Sequence, residues 1–208
     1  MFYKIIRAIL WPFVKIFYPY KIINKENITN EGNTIIICNH LQKADVYYTT
    51  FTFKGKSYYL SKKEWFKGKF LSKILMNLGA YPVDREKTDM KAIKNVLKLL
   101  KDGKRVIIFP EGTRNKVDLE LLPIKDGPGY FAHKCNSTIL PITIGKRAKI
   151  FRKNYVYVGK PFKLDNVDQK FSAEINERIT ERVKQELLEC RKQVNEYMEN
   201  IKRKKWKK

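Results

Sequence analysis

Cysteine is scarce in this chain, and the little there is forms no pattern. Cys38, Cys135 and Cys190 lie far apart and are odd in number, with no Cys-x-x-Cys pair and no Cys/His ligand spacing. That argues against a disulfide framework and against a zinc site, so no metal is expected. The same usage fits a reducing compartment. Histidine is scarcer, with only His40 and His133. Long apolar runs are missing as well. Residues 1–19 are strongly apolar, but Lys4, Arg7 and Lys15 interrupt them. Nothing approaches the roughly 20 residues that a spanning helix needs. No small-residue cleavage site of the signal-peptide kind is visible, and there is no internal repeat. Acidic residues are few: 21 Asp and Glu stand against 44 Lys and Arg, a formal charge of +23. A surface that basic needs an acidic neighbour, and the two usual candidates are nucleic acid and anionic lipid.

What is present is enough for a packed core. Of the 208 residues, 43% are hydrophobic and 13% aromatic, which suits one sizeable domain and is short for two. Near the start, Lys4, Arg7, Trp11 and Lys15 recur every three or four residues and share one helical stripe. Phe2, Ile5, Ile9, Leu10, Phe13 and Phe17 cover much of the remainder. This pattern predicts an amphipathic helix in a membrane interface, with its basic side chains reaching toward headgroups and Pro12 kinking it. A terminal helix packed on the core is the alternative, but the apolar face is wide and aromatic for a single such contact.

Apolar runs of strand length occur at 34–38, 58–60, 106–109, 139–144 and 155–158, and a further strand-like segment precedes Arg85. Between them, Met90, Ile93, Leu97 and Leu100 mark a helix. From Phe171 onward, Ile175, Ile179, Val183, Leu187, Cys190, Val194, Met198 and Ile201 mark a long amphipathic one, ending in the basic run 202–208 around Trp206. Strands alternating with helices predict an α/β fold, a single domain with a largely parallel or mixed sheet flanked by helices. The expected division is a membrane-association segment over 1–23, a core over 24–165, and a C-terminal helix and basic tail over 166–208.

Two strand ends carry chemistry. Directly after the first apolar run comes Asn39-His40-Leu41-Gln42-Lys43-Ala44-Asp45. A histidine there can open a turn into the next helix, and an aspartate five residues on can reach back to one ring nitrogen, leaving the other to accept a proton. At the end of another run comes Phe109-Pro110-Glu111-Gly112-Thr113-Arg114-Asn115. Gly112 permits a tight turn, Thr113 offers a hydroxyl and Arg114 a planar guanidinium, the parts of a phosphate-binding loop. Arg85, in Gly79-Ala80-Tyr81-Pro82-Val83-Asp84-Arg85, is a third basic candidate. A base and two arginines at strand ends suggest one crevice beside the sheet edge. Singly, each could be a capping histidine or a surface ion pair.

In order, these blocks and Leu140-Pro141-Ile142-Thr143 resemble the glycerolipid acyltransferase family, whose best-known members are 1-acyl-sn-glycerol-3-phosphate acyltransferases. The resemblance runs from about Asn24 to Gly159, and Phe-Pro-Glu-Gly-Thr-Arg is its most specific element. It implies that His40 is the general base for the acceptor hydroxyl and Asp45 its orienting partner. Arg85, Glu111, Gly112, Thr113 and Arg114 would form the acceptor-phosphate region, with Glu111 suited to organising the loop. Lys62 occupies a phosphate-facing position of the family, with Lys63 as the neighbouring alternative. Pro141 falls on the acyl or donor side. Gln42 departs from the family, which commonly has Ser there; glutamine still donates and accepts hydrogen bonds.

The implied reaction moves an acyl group from a thioester, carried by acyl-CoA or an acyl-carrier protein, to the sn-2 hydroxyl of 1-acyl-sn-glycerol-3-phosphate. It needs no cofactor. Glycerol-3-phosphate or another lysophospholipid would suit the same parts. A covalent route through Cys38 is conceivable, though a small buried cysteine in a strand is the plainer reading, and His133 reads as structural or surface. The rival class, a basic nucleic-acid-binding protein, has the charge and the Tyr/Lys interleaving but none of the known motifs. Anionic lipid accounts for the charge and for the basic apolar helix together, so the expected place is the cytoplasmic face of a membrane, with no nucleic acid partner.

Overall fold

In the computed structural model, which describes residues 2–29, 32–117, 121–165, 167 and 170–206, helices and strands alternate along the chain. They are α1 (Phe2–Phe17), β1 (Tyr20–Ile23), β2 (Thr34–Cys38), α2 (Asp45–Thr52), β3 (Ser57–Lys62), α3 (Lys69–Asn77), β4 (Ala80–Val83), α4 (Met90–Lys101), β5 (Arg105–Ile108), α5 (Gly127–Cys135), β6 (Thr138–Ile144), β7 (Asn154–Val158) and α6 (Ala173–Trp206). One mixed seven-stranded sheet runs in the order β1-β7-β6-β2-β5-β3-β4. All neighbours are parallel except β6 and β7. The carboxyl ends of β2, β3, β4, β5 and β6 therefore share one edge, where open α/β sheets bind their ligands.

The central strands lack polar alternation because both faces are covered. All five positions of β2 and all seven of β6 are buried. Ile35, Ile37, Val106 and Ile139 pack with Val96 and Leu100 of α4, Phe131 of α5 and Ile179, Val183 and Leu187 of α6. Ile36, Ile107, Leu140 and Ile142 meet Tyr48 and Phe53 on the other face. The predicted α4 starts at Asp89, whose carboxylate accepts the Ala92 N–H at 3.0 Å as an N-cap. The stripe read along α6 is the stripe it buries, through Val194 and Met198.

Two expectations change. Residues 20–23 do not belong with the membrane segment: they form β1, parallel to β7, with Tyr20 and Ile22 packed on the sheet face and Lys21 donating outward to Tyr197 Oη at 2.7 Å. Arg7 does not reach for headgroups. Its guanidinium donates to the Thr50 and Phe51 carbonyls at 3.0 and 3.3 Å and lies over the Phe51 ring, because the open carbonyls at the end of α2 attract a cation. Pro12 sits within α1 without interrupting it. Trp11, on the same stripe, lies 5.5 Å from the Phe51 ring, while Phe2, Ile5, Ile9, Phe13 and Ile16 are exposed and only Val14 is buried. No described helix is long and apolar enough to cross a membrane. The helical path of α6 reaches Trp206, so the basic run up to there is not a loose tail. Lys207 and Lys208, and the Trp206 side chain, lie outside the described residues.

Candidate active site

β2 delivers the chain to His40 at the carboxyl edge, and Asp45 opens α2. The turn between them closes around a single carboxylate oxygen. Asp45 Oδ2 accepts the Leu41 N–H at 2.6 Å and the Gln42 N–H at 2.7 Å, and lies 2.9 Å from His40 Nδ1. Asp45 is fully buried. A carboxylate in that place selects the tautomer with hydrogen on Nδ1 and leaves Nε2 as an acceptor. The ring is held flat by stacking on Phe109, centroid to centroid at 4.2 Å.

Glu111 fastens the second loop to the first. Its Oε1 accepts the His40 N–H at 2.7 Å, and its Oε2 accepts the Leu122 N–H at 3.0 Å and the Asn115 amide at 3.2 Å. The Asn115 N–H in turn donates to the His40 carbonyl at 2.7 Å. With its carboxylate buried and occupied by these donors, Glu111 ties the two loops together.

A cavity of about 270 Å³ opens beside His40. Its lining brings Arg85, Lys87, Gly112 and Lys125 together with apolar residues that include Leu60, Val83, Ala92, Ile93, Ile108 and Phe131. Arg85 Nη1 donates to the Gly112 carbonyl at 3.2 Å. Gly112 has φ 66°, and a Cβ there would stand 2.6 Å from Lys125 Cε. The left-handed turn favours glycine there, and any Cβ would push aside the end of the Lys125 side chain laid across it. Burial, then the nearby charge of Arg114, pulls the Arg85 guanidinium below its ordinary pKa, and an anion beside it would offset both. Asp84 and Asp89 also line the cavity, but Asp84 pairs with Lys63 at 2.7 Å and Asp89 caps α4.

His40, Arg85 and Gly112 thus come together as read from the sequence. Thr113 and Arg114 are exposed on the same turn, outside the lining. Lys62 points elsewhere, 3.3 Å from Glu64, so of the two candidate lysines neither lines the cavity. Pro141 stands inside β6, its carbonyl accepting the Gly159 N–H at 2.9 Å, and is not among the lining residues. Cys38 is fully buried, and burial followed by the charges of Asp45 and Glu111 pushes its thiol well above the ordinary range. That is the wrong direction for a nucleophile. His133 is buried in α5 against Phe171, on neither loop of the site. Lys87 and Lys125 were missed: both stand outside any motif, and only the fold carries them to the cavity, Lys125 lying across Gly112.

A histidine already oriented by a buried carboxylate, in a cavity lined by cations and apolar side chains, is an arrangement that could activate a hydroxyl on an anionic, chain-bearing molecule. Residues 20–145 match the family model described as Acyltransferase, and the chain belongs to that family of enzymes. It is 29% identical over 182 residues to the 1-acyl-sn-glycerol-3-phosphate acyltransferase of Bacillus subtilis (strain 168), spanning 85% of this chain and 90% of that protein. It is 30% identical over 138 residues to the protein of the same name from Borreliella burgdorferi (strain ATCC 35210 / DSM 4680 / CIP 102532 / B31), spanning 65% of this chain and 55% of that one. The crystal structure of the 1-acyl-sn-glycerophosphate acyltransferase PlsC from Thermotoga maritima is similar with a TM-score of 0.67 at 23% identity. That likeness covers 90% of this chain and 78% of that one, and it shows the shared fold.

Proposed function

We propose that this acyltransferase moves a fatty acyl group from a thioester to the sn-2 hydroxyl of 1-acyl-sn-glycerol-3-phosphate, giving phosphatidic acid. The observation that carries the reading is the oriented His40–Asp45 pair opening on the same cavity as Arg85 and the Gly112 turn. The acceptor phosphate would rest at Arg85, Gly112 and Lys125, with Thr113 and Arg114 closing on it from the rim. That placement brings the acceptor hydroxyl toward His40 Nε2, and the apolar lining offers room for a hydrocarbon chain.

In the reaction, Nε2 takes the hydroxyl proton as the oxygen attacks the thioester carbonyl. The tetrahedral intermediate then expels the thiolate, which recovers the proton from the imidazolium. Asp45 stabilises that imidazolium and keeps the tautomer. A thioester is already activated, so a positioned base, worth on the order of 10² to 10⁴ in rate, is the contribution required. The donor would be acyl-CoA or an acyl-carrier protein. The enzyme would work at an anionic membrane, on the cytoplasmic face, with the exposed side of α1 in the interface. Glycerol-3-phosphate and other lysophospholipids are the acceptors to compare.

The test is acyl transfer from a long-chain acyl-CoA, and separately from acyl-carrier protein, to 1-acyl-glycerol-3-phosphate on anionic vesicles. For His40→Ala, turnover should fall by about 10² to 10⁴ while the protein still sediments with vesicles. Turnover close to wild type would remove His40 as the base.

A further inference from the structure

The nine residues between β6 and β7, 145–153, put five cations and two large apolar side chains into one exposed hairpin loop. Lys146, Arg147, Lys149, Arg152 and Lys153 flank Ile150 and Phe151. Ile150 is 54% exposed and Phe151 67% exposed. Phe151 also has φ 61°, a left-handed conformation that is costly for a bulky side chain. That conformation is secured by α1: the Phe151 N–H donates to the Phe17 carbonyl at 2.8 Å, and the two rings lie 5.3 Å apart. Phe17 stacks in turn with Phe13, at 6.5 Å and 4° between planes. Three rings thus run in contact from α1 onto the loop tip, all three exposed.

The loop is anchored at its base. Buried Asn154 donates its amide to the Lys146 carbonyl at 2.6 Å, and the Asn154 N–H donates to the Pro19 carbonyl at 2.8 Å. Arg147 donates to the Asn115 carbonyl at 2.8 Å, one residue's hydrogen bond away from His40. Because β6 is parallel to β2, the loop leaves the sheet at the edge that holds His40.

From this geometry we infer that the 145–153 loop is a second membrane-insertion element, taking anionic lipid. Ile150 and Phe151 enter the interface in line with Phe13 and Phe17, and Lys146, Lys149, Arg152 and Lys153 meet the headgroups, Arg147 being held by the Asn115 carbonyl. The inference rests on the proposed membrane reading of α1 and extends it. Apolar residues at a loop tip, ringed by cations and continuous with an exposed apolar helix face, fit a bilayer surface. A soluble phosphate-bearing ligand would account for the cations and leave the tip unexplained. Two contact points also do what one helix cannot: they fix rotation about the α1 axis, and so set the edge bearing His40 toward the lipid.

The experiment is sedimentation of the full chain with vesicles of phosphatidylcholine alone and of phosphatidylcholine with phosphatidylglycerol, at fixed salt. Far-UV melting would confirm that each variant is folded. Ile150→Ser/Phe151→Ser should weaken binding to both vesicle types by about 10-fold or more. Lys149→Gln/Arg152→Gln/Lys153→Gln should weaken binding to the anionic vesicles by up to about 100-fold, at about fivefold per charge, with little change on neutral ones. Ile9→Glu/Ile16→Glu serves as the control on α1. If the α1 variant is released while both loop variants bind like wild type, the loop inference fails and the membrane reading stands. If wild type binds neither vesicle, both fail. If the loop variants change only the KM for a soluble donor, the loop serves the donor and the inference is overturned.

Discussion

His40, Asp45 and Glu111 are buried and bonded into one another's loops, whereas Thr113, Arg114 and Lys62, on or near the same sheet edge, stand in solvent. The buried group is finished by folding itself: its hydrogen bonds exist without substrate, and breaking them costs stability and rate together. The exposed group has little to lose in the free protein, so any contribution it makes must appear only when an anion is present. Preorganisation at the centre and pliability at the rim would suit the proposed reaction, in which a phosphate-bearing acceptor enters and a larger product leaves.

The largest effect after loss of the base should come from Asp45→Asn. Asparagine still accepts a hydrogen bond, but its neutral oxygen does not stabilise the imidazolium, and its amide can turn toward Nδ1 and select the opposite tautomer. Single-turnover rates should fall by roughly 10² or more, with acceptor affinity nearly unchanged. A loss seen mainly in KM would place Asp45 with the rim.

Glu111→Gln comes next and separates two roles. If Glu111 is the clasp described above, the variant loses a charged acceptor shared by His40, Leu122 and Asn115. It should unfold more easily by about 1–3 kcal/mol, with a lower kcat and no selective loss for phosphate-bearing acceptors. Denaturant unfolding beside steady-state kinetics would decide it. A selective rise in acceptor KM at unchanged stability would restore a phosphate role.

The sequence allowed the buried centre to be read more fully than the rim. His-x4-Asp and the glycine turn lie on short, contiguous stretches whose local geometry is nearly forced by strand, turn and helix start, and the apolar runs of β2, β5 and β6 were readable because buried parallel strands have no polar face. Lys87 and Lys125 reach the cavity only because the fold returns two unpatterned loops to its lining, and 44 basic residues hide any two of them. β1 was overlooked for a related reason: four residues, apolar on alternate positions, follow an apolar helix with no composition change to mark the join. Arg7 misled because periodicity gives a stripe and not its partner; the carbonyls of α2 that hold it are more than 40 residues away.

At the rim, smaller effects should be graded by depth. Arg85→Ala and Lys125→Ala, which line the cavity, should raise the acceptor KM by about 10-fold, the scale of one charge-assisted hydrogen bond. Arg114→Ala, exposed beyond them, should cost less, and Lys62→Ala least. All four losses should shrink with an acceptor lacking phosphate. Equal losses with both acceptors would mean that these cations shape the loop and do not meet the anion.

The smallest effect expected is from Cys38→Ala, and it tests the centre from its buried side. The thiol sits two residues before the base, yet burial and two neighbouring carboxylates hold it protonated at neutral pH. Turnover should keep its wild-type order of magnitude, and stability should fall by about 1 kcal/mol, as for a typical core substitution. The pH dependence has a definite sign. A thiol whose folded pKa is raised is favoured folded below its ordinary value, and that stability is lost as pH rises past about 9, where the unfolded thiol ionises first. Cys38→Ala should therefore flatten part of the alkaline decline in stability, to which Cys190, whose thiol burial lifts to about 12, and the buried Tyr20, Tyr48 and Tyr59 also contribute. Native protein treated with iodoacetamide at pH 8 should leave Cys38 unmodified by mass spectrometry. Rapid alkylation there with parallel loss of turnover would move the nucleophile from the acceptor hydroxyl to the protein.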